Sequence, residues 1–225
     1  MNVFTIKEIQ TCTSTNDEAK HQPFYSVILA EEQTNGRGRN GRTWVSGKGN
    51  LMASIVLPKP ESAYIYSFLI SLAIAQSIAF LSPRIKWPND ILVNGKKIAG
   101  ILLEVYDDKL IIGFGVNIQE HPVDTLLYEA TDLKEHGRAV EKEKLLQDIL
   151  QNFQFMLELY QKKGFQQIRL EWLQFAMGVG KRISVKLLNS SIEGVFDGIN
   201  EDGILILTDD NGKKQQITAG DVFMI

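Results

Sequence analysis

The chain has 225 residues, enough for one substantial domain and a small accessory module. Hydrophobic residues make up 44% and charged residues 23%, as in ordinary globular proteins, so a packed core is expected. With 24 Lys and Arg against 27 Asp and Glu, the net charge of −3 argues against a general nucleic-acid-binding protein. The single cysteine, Cys12, excludes an internal disulfide and a cysteine-rich zinc site, and it fits the reducing environment of the cytoplasm.

Apolar patterning predicts strands and helices along most of the chain. The strands predicted before position 180 are 5–9, 27–30, 51–57, 91–93, 98–105 and 110–117. Asn94-Gly95, a pair typical of tight hairpin turns, joins two of these strands. Apolar residues at helical spacing predict helices at 141–163 and 165–176. Thr15 with Glu18 three residues later predicts a capping box at the start of a short earlier helix.

An uncharged segment at 64–81 is long enough to raise the question of a membrane span. Three serines and a glutamine interrupt it, and Pro60 and Pro83 bracket it at the length of a helix in a globular protein. Neither end carries a cluster of Lys or Arg that would fix an orientation in a bilayer. We therefore expect a buried core helix and no association with a membrane.

The pattern changes near position 180, where short apolar runs alternate with turn residues. Strands are predicted at 183–188, 192–199, 204–208, 215–218 and 222–225. This spacing is typical of a small β-barrel. We expect two domains, a main domain at 1–178 and an accessory domain at 179–225.

The first chemically informative stretch is Gly36–Trp44, in which three arginines alternate with glycines before an indole. Glycine allows the backbone to approach a ligand closely, and arginine offers a planar fork of donors to carboxylate or phosphate oxygens. The pattern favours an anionic, nucleotide-like ligand. A solvated flexible loop or an RNA-binding tract is the alternative.

The second informative stretch is Lys86–Asp90, which is followed across the predicted hairpin by Lys97. A Pro-Asn-Asp sequence commonly forms a turn without any further role. Asp90 is nevertheless a candidate Mg²⁺ ligand, because this ion is usually bound by one or two carboxylates together with phosphate oxygens. Lys97 is a candidate to reach over the same site, although many hairpin lysines only solvate a sheet edge.

These stretches together resemble the biotin–protein ligases. Gly36–Trp44 matches the family's GRGRxGRxW signature, and Lys86–Asp90 with 96–104 matches its KWPND and K-(L/I)-A-G-I-L-x-E block. Further matches are Ser14-Thr15-Asn16, the GxGxN strand at 113–117, and a short segment around Thr131. The resemblance implies an α+β fold with a mixed, largely antiparallel sheet flanked by helices, as in class II synthetases. It also implies an SH3-like β-barrel at the C-terminus.

The resemblance assigns roles to individual positions. The expected biotin-binding residues are Ser14, Thr15, Asn16, Gln33, Arg37, Gly38, Arg39, Lys97 and Gly100. The expected nucleotide-binding residues are Arg39, Arg42, Trp44, Asn89, Asp90, Asn117 and Thr131. Lys97 and Arg39 are the expected catalytic residues, and Asp90 is the expected metal ligand.

The resemblance also implies a reaction and its partners. Biotin would be activated by ATP, with Mg²⁺, to biotinyl-5′-AMP and pyrophosphate, and biotin would then be transferred to a lysine of a biotin carboxyl carrier protein. Because the Ser14-Thr15-Asn16 motif begins almost at the N-terminus, we expect no DNA-binding domain and no specific DNA binding. An exposed sheet edge would allow two chains to pair as a homodimer.

Two other functions stay open at this stage. A lipoate or octanoate ligase shares the fold, although an RRxSGG-type loop would be expected in place of Gly36-Arg37-Gly38-Arg39. A non-enzymatic RNA-binding module would use the arginine loop and the small barrel, and its affinity would depend strongly on salt. The RNA-binding reading leaves Lys86–Asp90 and Lys97 without a role.

Overall fold

A computed structural model describes residues 3–45, 47–123, 129–187 and 189–225. Its main sheet has seven strands: β1 (Thr5–Cys12), β2 (Ser26–Gln33), β3 (Leu51–Pro58), β4 (Arg84–Lys86), β5 (Asp90–Val93), β6 (Lys96–Tyr106) and β7 (Lys109–Val116). Their order is β1-β2-β3-β7-β6-β5-β4. Only the β1–β2 pair is parallel, which confirms the expected mixed, largely antiparallel sheet. The short strand β4 was not predicted, because three residues carry too little pattern.

The helices cover the two faces of this sheet unequally. They are α1 (Thr15–Ala19), α2 (Ile65–Ser77), α3 (Lys142–Lys163) and α4 (Phe165–Phe175). On one face α2 packs against β4, β5 and β6, and both α3 and α4 pack against α2, so that the main hydrophobic core lies there. On the other face the short helix α1 contacts β2, β3 and β7. We call this second face the site face; its residues include Ser54, Gly100, Leu102, Glu104, Gly113 and Gly115.

Helix α2 is the uncharged segment that raised the question of a membrane span. Ten of its thirteen residues are buried, and Ser71 within it is fully buried and donates its hydroxyl to the Phe68 carbonyl at 2.9 Å. The prediction of a core helix is therefore confirmed. Within the described ranges, no helix is both long enough and apolar enough to cross a bilayer.

The start of α1 differs from the prediction. Ser14, with extended backbone angles, occupies the N-cap position, and Thr15 is the first helical residue. The predicted capping box of Thr15 and Glu18 was wrong. The Thr15 hydroxyl lies 3.1 Å from Gln33 and 2.7 Å from Ser54, so tertiary contacts take the place of a local cap.

The C-terminal segment forms a second, antiparallel sheet of five strands: β8 (Arg182–Lys186), β9 (Ser191–Ile199), β10 (Leu205–Thr208), β11 (Lys214–Ile217) and β12 (Asp221–Met224). Its order is β11-β10-β9-β8-β12. Among the described residues no pairing joins β11 to β12, so a small five-stranded sheet stands where a closed barrel was expected. The indole N–H of Trp87 donates to the Gly203 carbonyl at 3.2 Å, which ties this sheet to the main one.

Cys12 is buried at the end of β1. Burial raises the pKa of its thiol to about 11, and the nearby carboxylates of Glu18 and Asp17 add to the increase. The thiol is therefore protonated at neutral pH, whereas the reactive form of a cysteine is the thiolate. Burial and the raised pKa both disfavour the thiolate form of Cys12.

Candidate active site

A pocket on the site face brings together most of the predicted residues. It encloses about 700 Å³ of empty space, some of it open to solvent. The predicted residues that line it are Ser14, Thr15, Asn16, Gln33, Arg37, Gly38, Arg39, Arg42, Trp44, Asn89, Asp90, Lys97 and Gly100. Asn117 does not line this pocket but a smaller neighbouring one, which also contacts Trp44 and Lys97. Thr131 is fully buried behind them.

One end of the pocket is neutral and rich in hydrogen-bonding groups. The side-chain oxygen of Gln33 accepts hydrogen bonds from the Thr15 backbone N–H at 2.8 Å and from the Thr15 hydroxyl at 3.1 Å. Ser54, at the centre of β3, donates to the Asn16 side-chain oxygen at 2.6 Å. These contacts fix the orientation of each polar group before a ligand arrives, and a neutral polar group such as a ureido fits their chemistry.

Two glycines of β7 make room for the side chains that form the pocket walls. Gly113 and Gly115 point to the same face of the sheet, because side chains alternate along a strand. A Cβ atom on Gly113 would lie 2.2 Å from the Asn16 side-chain oxygen, and one on Gly115 would lie 2.4 Å from the Trp44 ring. The GxGxN pattern therefore has a steric cause: Asn16 and Trp44 rest directly on the backbone of β7.

Lys97 reaches the pocket because of an irregularity in β6. Ile91 pairs with Ala99 and Leu92 with Lys97, so Ile98 is an extra residue on its strand, which is a β-bulge. Ile98 and Ala99 both point into the core. Lys97 and Gly100 consequently share the site face, and the Lys97 side chain runs 3.1–3.2 Å from the position of a Gly100 Cβ.

The ammonium group of Lys97 is positioned by a largely buried carboxylate, that of Asp90. Its nitrogen lies 2.6 Å from one oxygen of Asp90 and 5.6 Å from the centre of the Trp44 ring, while Lys86 lies 3.3 Å from the other oxygen of Asp90. Burial by itself would raise the pKa of Asp90, but the charges of Lys97 and Lys86 outweigh burial and lower it. Asp90 is therefore ionised at neutral pH.

This arrangement of Asp90 does not fit a metal ligand, since both carboxylate oxygens face ammonium groups. In the described part of the chain, no group of three His, Cys, Asp or Glu side chains is arranged to hold a metal ion. The proposed role of Asp90 toward Mg²⁺ stays a prediction. The contact geometry favours a different role for Asp90, the positioning of Lys97.

The three arginines of the loop attach it to three different parts of the molecule. Arg39 donates to the side-chain oxygen of Asn89 at 3.0 Å, and Asn89 in turn donates to the Ile101 carbonyl at 2.6 Å. Arg42 forms an ion pair with Asp221 of β12 in the C-terminal sheet. Through Asp221 the C-terminal sheet contributes directly to the pocket wall.

Arg37 makes the third attachment. It forms a two-point ion pair with Asp17 of α1, at 2.5 and 3.0 Å, and also lies 3.2 Å from Glu104 of β6. The hydrogen bond from Arg37 is the largest cause of a lowered pKa of Asp17, to about 2. Asp17 therefore stays ionised throughout the neutral range.

Asn117 and Thr131 support the pocket from behind. The Asn117 amide donates to the Thr131 carbonyl at 3.0 Å, and the Thr131 backbone N–H donates to the Lys97 carbonyl at 2.9 Å. The Lys97 backbone N–H donates to the Glu129 backbone carbonyl at 2.8 Å, so the short segment around Ala130 is paired with the backbone of Lys97. The buried side-chain oxygen of Asn117 has no hydrogen-bond partner within the described residues, which leaves an acceptor available beside Trp44.

Four residues of the site were missed by sequence reasoning: Asp17, Ser54, Glu104 and Asp221. Ser54 interrupts the apolar run of β3, and a polar residue in such a run is a usable signal of an internal hydrogen bond. Asp17 and Glu104 lie inside or beside recognised motifs, but their partnership with Arg37 depends on the fold. Asp221 has no local signal, because 179 positions separate it from Arg42.

The Arg42–Asp221 pair leads to a testable expectation. Arg42→Gln removes a cation from the pocket and also leaves an uncompensated carboxylate near any bound phosphates. Charged hydrogen bonds contribute about 1.5–3 kcal/mol, so we expect the KM for ATP to rise about 10-fold or more.

Steady-state kinetics with varied ATP measures this effect. In the double variant Arg42→Gln/Asp221→Asn the unpaired anion is gone, so part of the affinity should return. Arg182→Gln is the matched control, because it breaks an exposed ion pair with Asp210 in the turn between β10 and β11, and neither residue lines the pocket. An unchanged KM in Arg42→Gln would contradict the assignment.

Comparison with known proteins gives a consistent result across nearly the whole chain. Residues 4–117 match the Biotin/lipoate A/B protein ligase family, and residues 178–224 match the Biotin protein ligase C terminal domain. The biotin–[acetyl-CoA-carboxylase] ligase of Paracoccus denitrificans is 36% identical over 236 residues, covering 93% of this chain and 96% of that protein. The bifunctional ligase/repressor BirA of Bacillus subtilis is 33% identical over 213 residues, covering 88% of this chain and 66% of that protein. The chain thus spans about two thirds of the length of this second relative.

A solved structure agrees with the fold over nearly the whole chain. The biotin protein ligase from Aquifex aeolicus in complex with biotin and ATP superposes with a TM-score of 0.88 at 26% identity, covering 98% of each chain. The resemblance of the sequence motifs is therefore confirmed at the level of whole chains. The chain belongs to the biotin/lipoate A/B protein ligase family and carries a biotin protein ligase C-terminal domain.

Proposed function

We propose that this protein is a biotin–protein ligase that forms biotinyl-5′-AMP from biotin and ATP and then transfers biotin to a lysine of a biotin carboxyl carrier protein. One observation carries the proposal. Lys97 and Arg39 line a pocket that has a neutral hydrogen-bonding end at Thr15 and Gln33 and an indole, Trp44, against Lys97. An acid with a polar head fits between the neutral end and the cations, and a nucleotide base fits beside Trp44.

In the first step a carboxylate oxygen of biotin attacks the α-phosphorus of ATP, and pyrophosphate leaves. Two anionic groups must approach each other, so the residues have to neutralise charge and align the reactants. Lys97 is suited to the junction of carboxylate and α-phosphate, because Asp90 holds its ammonium group in place. Arg39 is suited to the phosphate oxygens, since its hydrogen-bond partner among the described residues, Asn89, is neutral and leaves the charge of Arg39 uncompensated.

In the second step an acceptor lysine amine attacks the carbonyl carbon of the mixed anhydride. A carbon–nitrogen bond forms, the carbon–oxygen bond to AMP breaks, and the amine loses a proton. The arginine loop, held by Asn89 and Asp221, would limit the access of water to the anhydride. We further propose that residues 1–178 form the catalytic domain and 179–225 an accessory domain. Homodimer formation, the absence of DNA binding and a cytoplasmic location stay predictions.

A lipoate or octanoate ligase is the alternative that the family description keeps open. The neutral, polar end of the pocket favours biotin, since the ureido group of biotin can pair with both donors and acceptors there. An acyl chain without such a group would leave the polar side chains unsatisfied, and that penalty supports discrimination.

The deciding experiment measures pyrophosphate release with ATP and one of three acids: biotin, lipoate or octanoate. We expect release that depends on biotin and that increases when a biotin carboxyl carrier domain is added. Release with lipoate or octanoate but not with biotin would replace the proposed function by the alternative. No release with any of the three would refute both.

A further inference from the structure

The side chain of Arg37 is enclosed by carboxylates that come from outside the arginine loop. Asp17 of α1 binds it at two points, and Glu104 of β6 lies 3.2 Å away. We call Asp17, Arg37 and Glu104 the Arg37 clasp. It joins a helix, a loop and a strand that are far apart in sequence, and it lies beside the neutral end of the pocket.

The clasp also determines how Asn16 is oriented. Glu104 accepts a hydrogen bond from the Asn16 amide nitrogen at 2.6 Å, while Ser54 donates to the Asn16 side-chain oxygen at 2.6 Å. Asn16 is 2% exposed and rests on Gly113, so its side chain has no room to rotate. The next residue toward the N-terminus, Thr15, makes the hydrogen bonds to Gln33.

The charges of Arg37 and Arg39 are compensated differently. Two carboxylates, those of Asp17 and Glu104, face Arg37, and Asp17 also lies 2.6 Å from Lys20. The two negative and two positive charges make this group of four side chains neutral overall. Arg39 donates instead to a neutral amide. A bound phosphate would therefore gain little from Arg37 and more from Arg39.

We infer that Asp17 and Glu104 are positioning residues for biotin binding. Arg37 holds the start of the loop in place and, through Glu104, also holds Asn16 in place. It does not act by contacting phosphate. The inference rests on the proposed function and deepens it. It predicts that loss of the clasp affects the acid substrate and leaves the nucleotide largely unaffected. A phosphate-contacting Arg37 would produce the opposite pattern.

The test compares steady-state constants for biotin and ATP in Asp17→Asn and Glu104→Gln. Asp17 and Glu104 belong to one partly buried network of ion pairs and hydrogen bonds, so the loss of either charge weakens the whole network. We therefore expect the KM for biotin to rise about 10-fold in each variant. The KM for ATP and the rate at saturating substrates should stay within about 2-fold of the wild type. Asp17→Glu keeps the charge and should recover most of the affinity for biotin.

Glu18→Gln is the matched control, because it removes the same charge from the neighbouring residue of α1, whose carboxylate forms no ion pair in the described ranges. It should leave both KM values unchanged. Arg37→Gln and the double variant Arg37→Gln/Asp17→Asn complete a cycle. If Arg37 acts through Asp17, the double variant should be no worse than Arg37→Gln alone.

The outcomes separate the inference from the proposed function. Biotin-dependent pyrophosphate release by the wild type, together with unchanged biotin KM in Asp17→Asn and Glu104→Gln, would overturn the inference alone. A selective rise in the KM for ATP in Arg37→Gln would also overturn it, since that result indicates phosphate contact. Absence of biotin-dependent release by the wild type would instead refute the proposed function on which the inference rests.

Discussion

Replacing Lys97 by alanine is expected to reduce adenylate formation by about 100- to 1000-fold, the typical effect of removing one preorganised charge-stabilising donor. The reason is the position of its ammonium group, which is held between Asp90 and Trp44 at the edge of the pocket where carboxylate and phosphate would meet. Pyrophosphate release in a single turnover, with saturating biotin and ATP, measures the effect.

Lys97→Ala also removes a charge partner of Asp90, so the variant can lose stability as well as activity. Asp90 would keep only Lys86 of its two ammonium contacts, and breaking a buried ion pair costs about 3–5 kcal/mol of stability. Lys97→Ala/Asp90→Asn removes the uncompensated charge, so it should recover stability but not activity. Thermal unfolding of both variants distinguishes loss of catalysis from loss of the fold.

Lys96→Ala is the matched control for Lys97. Lys96 is the adjacent residue on the same strand, but its side chain is 40% exposed and faces Glu129 and Glu135 away from the pocket. We expect Lys96→Ala to retain nearly full activity. Comparable losses at the two lysines, or full activity in the Lys97 variants, would contradict the assignment of Lys97.

The second large effect is expected from adding a methyl group at either glycine of β7. Gly113→Ala would force the Asn16 amide away, and Gly115→Ala would force the Trp44 ring away, because both contacts are well below 3 Å. Overpacking of this kind costs about 1–3 kcal/mol, which corresponds to roughly 5- to 150-fold in a binding constant.

The two glycine variants serve as controls for each other. Gly113→Ala should raise the KM for biotin, because Asn16 and Thr15 shape the neutral end of the pocket. Gly115→Ala should raise the KM for ATP, because Trp44 and Asn117, which line the neighbouring pocket, are the residues proposed to contact the nucleotide. Steady-state kinetics with each substrate varied in turn measures both constants. Equal effects of each variant on both substrates would show that the pocket is not divided in this way.

The sequence predicted the principal elements because their signals are local. The strands β3, β5, β6 and β7 and the helices α2, α3 and α4 agree with the predicted ranges to within a few residues. The Asn94-Gly95 turn indicated the hairpin of β5 and β6, since few residue pairs adopt the required positive φ angles as readily. The family resemblance likewise indicated thirteen residues that line one pocket, and twelve of them lie in the family's short sequence motifs.

Other features depend on residues that meet only after folding. The bulge at Ile98 places Lys97 on the site face, and no residue pattern in β6 indicates it, since register depends on the partner strand. The capping box at Thr15 failed because its hydroxyl is drawn to Gln33 and Ser54, on strands distant in sequence. The two lysines that face Asp90 were likewise not paired with it from the sequence, because their contacts with its carboxylate depend on the fold.

The sequence by itself determined the composition class, the order of the elements and the residue types of the site, because these follow from short-range patterns and motifs. Only the tertiary structure decided which charges are paired. It placed Arg37 between Asp17 and Glu104, and it placed Arg42 against Asp221 of the C-terminal sheet. The physical reason is that electrostatic pairing depends on distances through space, whereas the chain separates these partners by 20, 67 and 179 positions.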